Sequence, residues 1–279
     1  MSSTPPKFSN ETLSKLHSTG FVLHLVQSAY CFYLTNTRFK DQGKFRIRNG
    51  SSLSAQYNLG NVVGVFPLLA AAQHLASVVF RKKYENNVAS GYNPWRWGEY
   101  SLSAGLMFFV TAQLSGIQDI KLLGFLLGSN VALQYFGYRS EKSVAGGRGG
   151  EANEDVTAGF ILFLAMWFPI MTSFFRAVSE ADQAASDPES AGPPDIVYAI
   201  IFVMLTLFVV FGITSLAYVR GANTRTAPKW WKLEEKDFTS VEVGFLILSF
   251  ITKSLLTNMT LFGAINRPSD DVPEEDVSE

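Results

Sequence analysis

The sequence predicts an all-α membrane protein: a bundle of seven transmembrane helices with a short β-hairpin in its first loop. Three observations predict it. Of the 279 residues 47% are hydrophobic, and the mean hydropathy is positive at +0.14. A soluble chain spreads such residues at periods of 2 or 3.6, whereas here they fall into blocks. Residues 19–37, 57–80, 95–118, 121–138, 156–176, 195–219 and 240–265 are seven apolar runs with few charges. A helix needs roughly 20 such residues to cross a bilayer core of about 30 Å. Third, the stretch "KFRIRNG" between the first two runs alternates charged and apolar residues and ends in Asn-Gly, a strong turn dipeptide.

The elements follow in order. Residues 1–18 are polar and read as an N-terminal tail, with no apolar core or small-residue cleavage site of a signal peptide. The first helix, 19–37, carries Cys31, the only cysteine, so neither a disulfide framework nor a cysteine-based metal site is expected. The hairpin is expected over the outer mouth of the bundle, at a subunit contact. The third helix opens with "NPWRWGEYSLSA", which places Arg96 and Glu99 near its start. Stretches 141–155 and 179–194 are rich in Gly, Ala and Ser and read as mobile linkers. Pro169, in "MWFPIM", is expected to kink the fifth helix beside a cavity. The last helix ends the domain at 265, and 266–279 form an acidic tail.

Basic residues orient the bundle. With the N-terminus in the cytoplasm, fourteen Lys and Arg fall in cytoplasmic segments and eight in external ones. Positive-inside bias therefore predicts N-terminus in and C-terminus out. A formal net charge of −1 gives no reason to expect a nucleic-acid partner.

Lys253 stands in the middle of "FLILSFITKSLLTNMTLFG". A charge at bilayer mid-depth costs a few kcal/mol on the mildest scales and marks a functional site. Glu99 is a natural partner, since opposite charges offset each other's desolvation; a purely structural ion pair would look the same in sequence. Lysine in an apolar pocket also loses its proton readily and condenses with an aldehyde to a Schiff base. Ser249 lies one turn earlier on the same face; it can hydrogen-bond that nitrogen or simply its own i−4 carbonyl. His24 and His74 sit in the first and second helices, either as core histidines or as a polar site.

"NPWRWGEYSLSA", "LGSNVALQYFGY" and "SFITK", taken together, resemble the heliorhodopsins, and the similarity spans nearly the whole chain. The resemblance implies a retinal-binding, rhodopsin-like bundle with an inverted orientation, N-terminus inside. It implies all-trans retinal bound to Lys253 as a protonated Schiff base, with Glu99 as counterion and Ser249 beside the nitrogen. Tyr100, Ser103, Met107, Asn130, Trp167, Pro169 and Phe202 are the implied pocket residues, and His24 and His74 the implied lining of a cytoplasmic polar cavity. A bilayer environment, a homodimer and a signalling partner come with it, and no enzymatic activity. Proton pumps have a Thr four residues after the helix-three carboxylate, a second carboxylate eleven after it, and an Asp four before the lysine. Counting from Glu99 gives Ser103 and Val110, and Ser249 stands before Lys253. The expected function is light sensing without pumping. A light-gated passive conductor is the alternative, and a non-photochemical transporter is a third reading.

Overall fold

The computed structural model describes residues 8–183, 193–222 and 238–265. The acidic tail expected at 266–279, the first seven residues of the N-terminal tail, and most of the linker expected at 179–194 lie outside them.

Polar residues start the helices. Ser9 caps α1 (Asn10–Thr37), its side chain accepting from the Thr12 backbone N–H. Asn58 caps α2 (Leu59–Val79), and Asn93, followed by Pro at the first helical position, caps α4 (Pro94–Leu114). Asp119 caps α5 (Ile120–Ala145). Each supplies an acceptor for backbone donors that have no partner in the first turn. Between α2 and α4 lies a short polar helix, α3 (Arg81–Ala89). The chain continues with α6 (Gly149–Gln183), α7 (Asp195–Ala222) and α8 (Phe238–Asn258), which runs on into a π-helical segment, Met259–Ile265.

The predicted hairpin is present. Strands β1 (Lys44–Asn49) and β2 (Ser52–Asn58) pair antiparallel, with a bulge at Ile47/Arg48. Gly50 turns the chain at φ +61°, a conformation glycine adopts without a Cβ penalty. Arg48 donates its backbone N–H to the Gln118 carbonyl at 2.8 Å, which ties the hairpin to the α4–α5 turn.

Two expectations need revision. The stretch 141–155 is almost entirely helical: α5 persists to Ala145 and α6 begins at Gly149, leaving only Gly146–Arg148 between them. Its small residues allow helix, and Glu141 is anchored in the interior at 2% exposure. Likewise α1 begins at Asn10, so half of the polar segment expected as tail is the first turns of a helix.

Neighbours in sequence are neighbours in space. α1 packs along α2, α2 along α4, α4 along α5 and α5 along α6; α6, α7 and α8 follow, and α8 returns to α2 and α1. The short connections from α4 to α5 and from α5 to α6 favour this up-and-down order. Among the described residues, α2, α6, α7 and α8 with its π-helical extension are long and apolar enough to cross a membrane. The lower apolarity of α1, α4 and α5 has a visible cause: they carry the buried polar residues His17, His24, Arg96 and Glu141, and Glu99, whose side chain is 6% exposed. The largest apolar core joins Phe66, Phe108, Trp167, Ile170 and Phe208; a second one, near the α1 N-terminus, joins Leu13, Tyr84, Trp97, Tyr100 and Phe245.

Candidate functional site

Lys253 and Ser249 are one turn apart on α8, and both face α4. On α4, Arg96, Glu99, Tyr100, Ser103 and Met107 recur at spacings of 3, 4, 7 and 11, a single helical face. The lysine Nζ lies 3.2 Å from Glu99 Oε1 and donates to Oε2 at 3.3 Å; the two side chains are 3% and 6% exposed. It also donates to Ser249 Oγ at 2.6 Å. The Tyr100 ring sits 5.0 Å from the ammonium, within cation–π range. Its hydroxyl donates to the Phe245 carbonyl at 3.2 Å, which fixes the ring.

Lys253 and Ser249 form part of the wall of a cavity between the helices that is partly open to the exterior, while Glu99 lines a smaller cavity beside it. Tyr100, Ser103, Met107, Phe108, Leu133, Phe163, Phe208 and Phe245 line the larger cavity, with Gln134, Asp155 and Ser215 as polar members. Its mostly apolar lining with a few placed polar groups suits a small apolar ligand. Ser103 Oγ is buried at this cavity without a hydrogen-bond partner, so the site has polar capacity to spare. An amine in the wall of a largely apolar, aromatic-lined cavity fits an apolar aldehyde such as retinal.

Of the other expected pocket residues, Trp167 is 3% exposed and packs edge-on against Phe108 and Phe208, behind the cavity wall. Asn130 is fully buried and donates to the Tyr100 and Ser101 carbonyls, which steadies α4 behind the site. Pro169 lies within α6, which continues through it. Phe202 is 46% exposed, packs on Phe174 and does not line the cavity. Phe163, Phe211 and Phe245 line it instead. Aromatic content alone does not say which face of a helix looks inward.

His24 and His74 come together: their rings stack at 5.5 Å with 13° between planes. A third histidine, His17, joins them, its Nδ1 2.8 Å from His74 Nδ1. His17 precedes His24 by two helical turns, and that spacing is the signal in the sequence that marks it. His74 and Glu99 both line a small cavity that separates the histidines from the lysine.

One further buried cluster escapes the sequence reading. Arg96, 2% exposed, donates to Glu141 Oε1 at 2.5 Å and to Glu242 Oε2 at 3.1 Å. Asn93 donates to both glutamates and Trp97 to Glu141. Glu242 lies eleven residues before Lys253, three turns along the same face of α8. Charges on one helix face are a readable signal, but each of these residues sits near the end of an apolar run, where charges are ordinary.

The bundle and its buried lysine–carboxylate pair define a microbial-rhodopsin fold. A cyanorhodopsin from the cyanobacterium Tolypothrix sp. NIES-4075 superposes with a TM-score of 0.59 at 10% identity, covering 90% of this chain and 93% of that one. The thermophilic rhodopsin of Rubrobacter xylanophilus gives 0.57 at 14% identity, with 90% and 95% covered. No curated protein matches the sequence. The heliorhodopsin family profile matches residues 9–265, and this chain belongs to the heliorhodopsins. It is a multi-pass integral membrane protein, and membership points to a photoreceptor with a retinal chromophore rather than a classical enzyme.

Proposed function

We propose that this chain is a light sensor that holds all-trans retinal on Lys253 as a protonated Schiff base, with Glu99 as counterion, and that it does not pump ions. The carrying observation is the Lys253 Nζ placed 3.2 Å from Glu99 and 2.6 Å from Ser249 at the wall of an apolar cavity. Bound retinal supplies absorption of visible light and isomerisation about its polyene. Lys253 provides the amine, and Glu99 balances the positive charge on its nitrogen. Ser249 offers that nitrogen a hydrogen-bond acceptor, and the Tyr100 ring lies against the charge. Met107, Phe108 and Phe208 keep water from the long axis of the cavity. A change in the direction of the N–H breaks the pairing with Glu99, and the protein relaxes between two states that a partner can read.

The same reading takes all seven long helices as spans, with the N-terminus in the cytoplasm. Each has at least 21 residues, or about 31 Å of helix, enough for the hydrocarbon core. The excess of basic residues on the side where α1 begins supports the orientation. The homodimer and the signalling partner belong to this proposal as well. A passive, light-gated proton path is the second reading, favoured by the small polar cavity between Glu99 and His74.

The deciding experiment is a spectrum of the purified protein with all-trans retinal. A visible band that hydroxylamine bleaches is expected, and it should be absent in Lys253→Ala. A coloured, bleachable Lys253→Ala protein would sink the assignment. Photocurrent under voltage clamp separates sensor from conductor.

A further inference from the structure

We propose that Asp155, with Gln134 and Ser215, is a polar subsite for a neutral hydroxyl on the ligand end farthest from the aldehyde, so that the protein prefers a ring-hydroxylated retinal to retinal itself. This rests on the retinal reading above and deepens it by naming the chemistry of the ring. The observation is a carboxylate oxygen left over in a mostly apolar cavity. Asp155 is 4% exposed and lines the cavity that Lys253 also lines. Its Oδ1 lies 3.5 Å from Arg139 Nε, while its Oδ2 is buried without a hydrogen-bond partner. An ionised carboxylate only accepts hydrogen bonds, and a buried acceptor with no donor is costly to keep. What Oδ2 lacks is a donor.

The fold sets this group across the cavity from the lysine. Lys253 is on α8, which packs on α1, α2 and α7, and Asp155 is on α6, which packs on α5 and α7. The cavity runs between them, so a ligand joined to Lys253 presents its other end toward α5, α6 and α7. Gly137, Gly159 and Gly212, one from each of those helices, are part of the lining, and none of them fills the space with a side chain. Gln134 is steadied by donating to Asn130 Oδ1 at 3.1 Å. Gln134 on α5 and Ser215 on α7 can each donate or accept. Three helices thus each bring one polar side chain to a wall that is otherwise mostly aromatic and aliphatic.

Charge decides the class of donor. Asp155 and Arg139 together are neutral, and the Arg139 side chain is 44% exposed at the surface. Of the neighbouring acids on α6, Glu151 pairs with Arg148 and Glu154 is exposed. An ammonium on the ligand would carry a net positive charge into a mostly apolar space, and its desolvation would oppose binding. A hydroxyl brings one O–H and no charge. Donated to a carboxylate, it makes a bond roughly twice as strong as one between neutral groups.

The test uses the full chain in detergent as Lys253→Ala, in which no covalent bond masks affinity. β-Ionone and 3-hydroxy-β-ionone are titrated while quenching of tryptophan fluorescence is followed, since Trp97 lines the cavity. The hydroxylated ring should bind about tenfold tighter, the lower end for a hydrogen bond to a charged group. Adding Asp155→Leu should abolish the preference while β-ionone still binds. Asp155→Asn, which leaves a neutral acceptor, should cut it to about threefold, and Arg139→Gln, which leaves the carboxylate, should keep it. A 3-amino ring should bind no better than β-ionone. Equal affinity for the two ionones, an undiminished preference in Asp155→Leu or Asp155→Asn, or tighter binding of the amino ring would each overturn the subsite. Where Asp155→Leu binds neither ring, Asp155→Asn decides. With Lys253 restored, 3-hydroxyretinal should outcompete retinal for the pigment, and equal incorporation would overturn the chromophore preference. A hydroxyl preference among the ionones with no visible pigment from either aldehyde would instead sink the retinal reading and leave the hydroxyl site standing.

Discussion

Replacing Arg96 with Met removes the cation that lies between Glu141 and Glu242 while roughly keeping its length. Both carboxylates are essentially buried, at 2% and 0% exposure, and each has other donors but, among the described residues, no second cation in contact. Breaking a buried ion pair from one side costs about 3–5 kcal/mol, because a buried charge is left behind. The Arg96 guanidinium also sits 3.9 Å above the Phe245 ring, so the packing of α4 on α8 suffers too. Arg96→Lys keeps the charge but not the fork that reaches two carboxylates. It should lose about one charged hydrogen bond, or 1.5–3 kcal/mol. Adding Glu141→Gln and Glu242→Gln to Arg96→Met removes the stranded charges and should recover most of the loss. Unfolding in micelles, followed by tryptophan fluorescence and extrapolated linearly, reads each value. An Arg96→Met protein within about 1 kcal/mol of the parent would refute the reasoning, since no buried pair of net value could be removed so cheaply.

Other predictions follow from neighbouring geometry. Glu99→Gln removes the charge 3.2 Å from Nζ, so the visible band should move to longer wavelength, or to the near-ultraviolet if the nitrogen gives up its proton; an unchanged spectrum would mean that another group is the counterion. A Cβ at Gly137 would lie 2.3 Å from the Trp97 ring, so Gly137→Ala should destabilise by about 1–3 kcal/mol, whereas Gly128→Ala, on the same helix with open space around it, should not. Asn49 and Asn10 both lie in sequons and both are exposed, so of these two a glycosylating host should modify only Asn49 if the N-terminus is cytoplasmic; sugar on Asn10 would reverse the topology. With no carboxylate at Val110 or Ser249, light at zero voltage and symmetric pH should give no sustained current, and a steady one would contradict the non-pumping assignment.

What could be read from the sequence was whatever departs from its surroundings. Lys253 stands out because an ammonium interrupts an apolar run, and the hairpin because Asn-Gly follows an alternating stretch. Glu141, Glu242 and Arg96 do not stand out, for each lies where an apolar segment gives way to polar residues. Glu141 fell inside a stretch whose small residues resemble a linker, and His17 inside one that resembles a tail. Only the helical extension of α1 and α5, set by capping and burial, brings these two into the interior. The pocket aromatics show the complementary limit. Phe202 and Phe211 are equally apolar, and it takes the rotation of α7 to send one to the surface and the other to the cavity.

The bonds that tie the hairpin down bear on how the bundle can move. Asn58 donates to the Phe39 and Gln42 carbonyls, Arg48 to Gln118, and Ser173 to Ser115, all at the end opposite the Arg96 cluster. These bonds join α1, α2, α4, α5 and α6 through their connections, and so make that end a fulcrum. A small swing of one helix against another is therefore magnified with distance from it. Lys253 lies partway along this lever arm, and Arg96, Glu141 and Glu242 are the latch at its far end. Under the light-sensor proposal, a shift of an ångström beside the lysine becomes a larger stroke where α4, α5 and α8 meet.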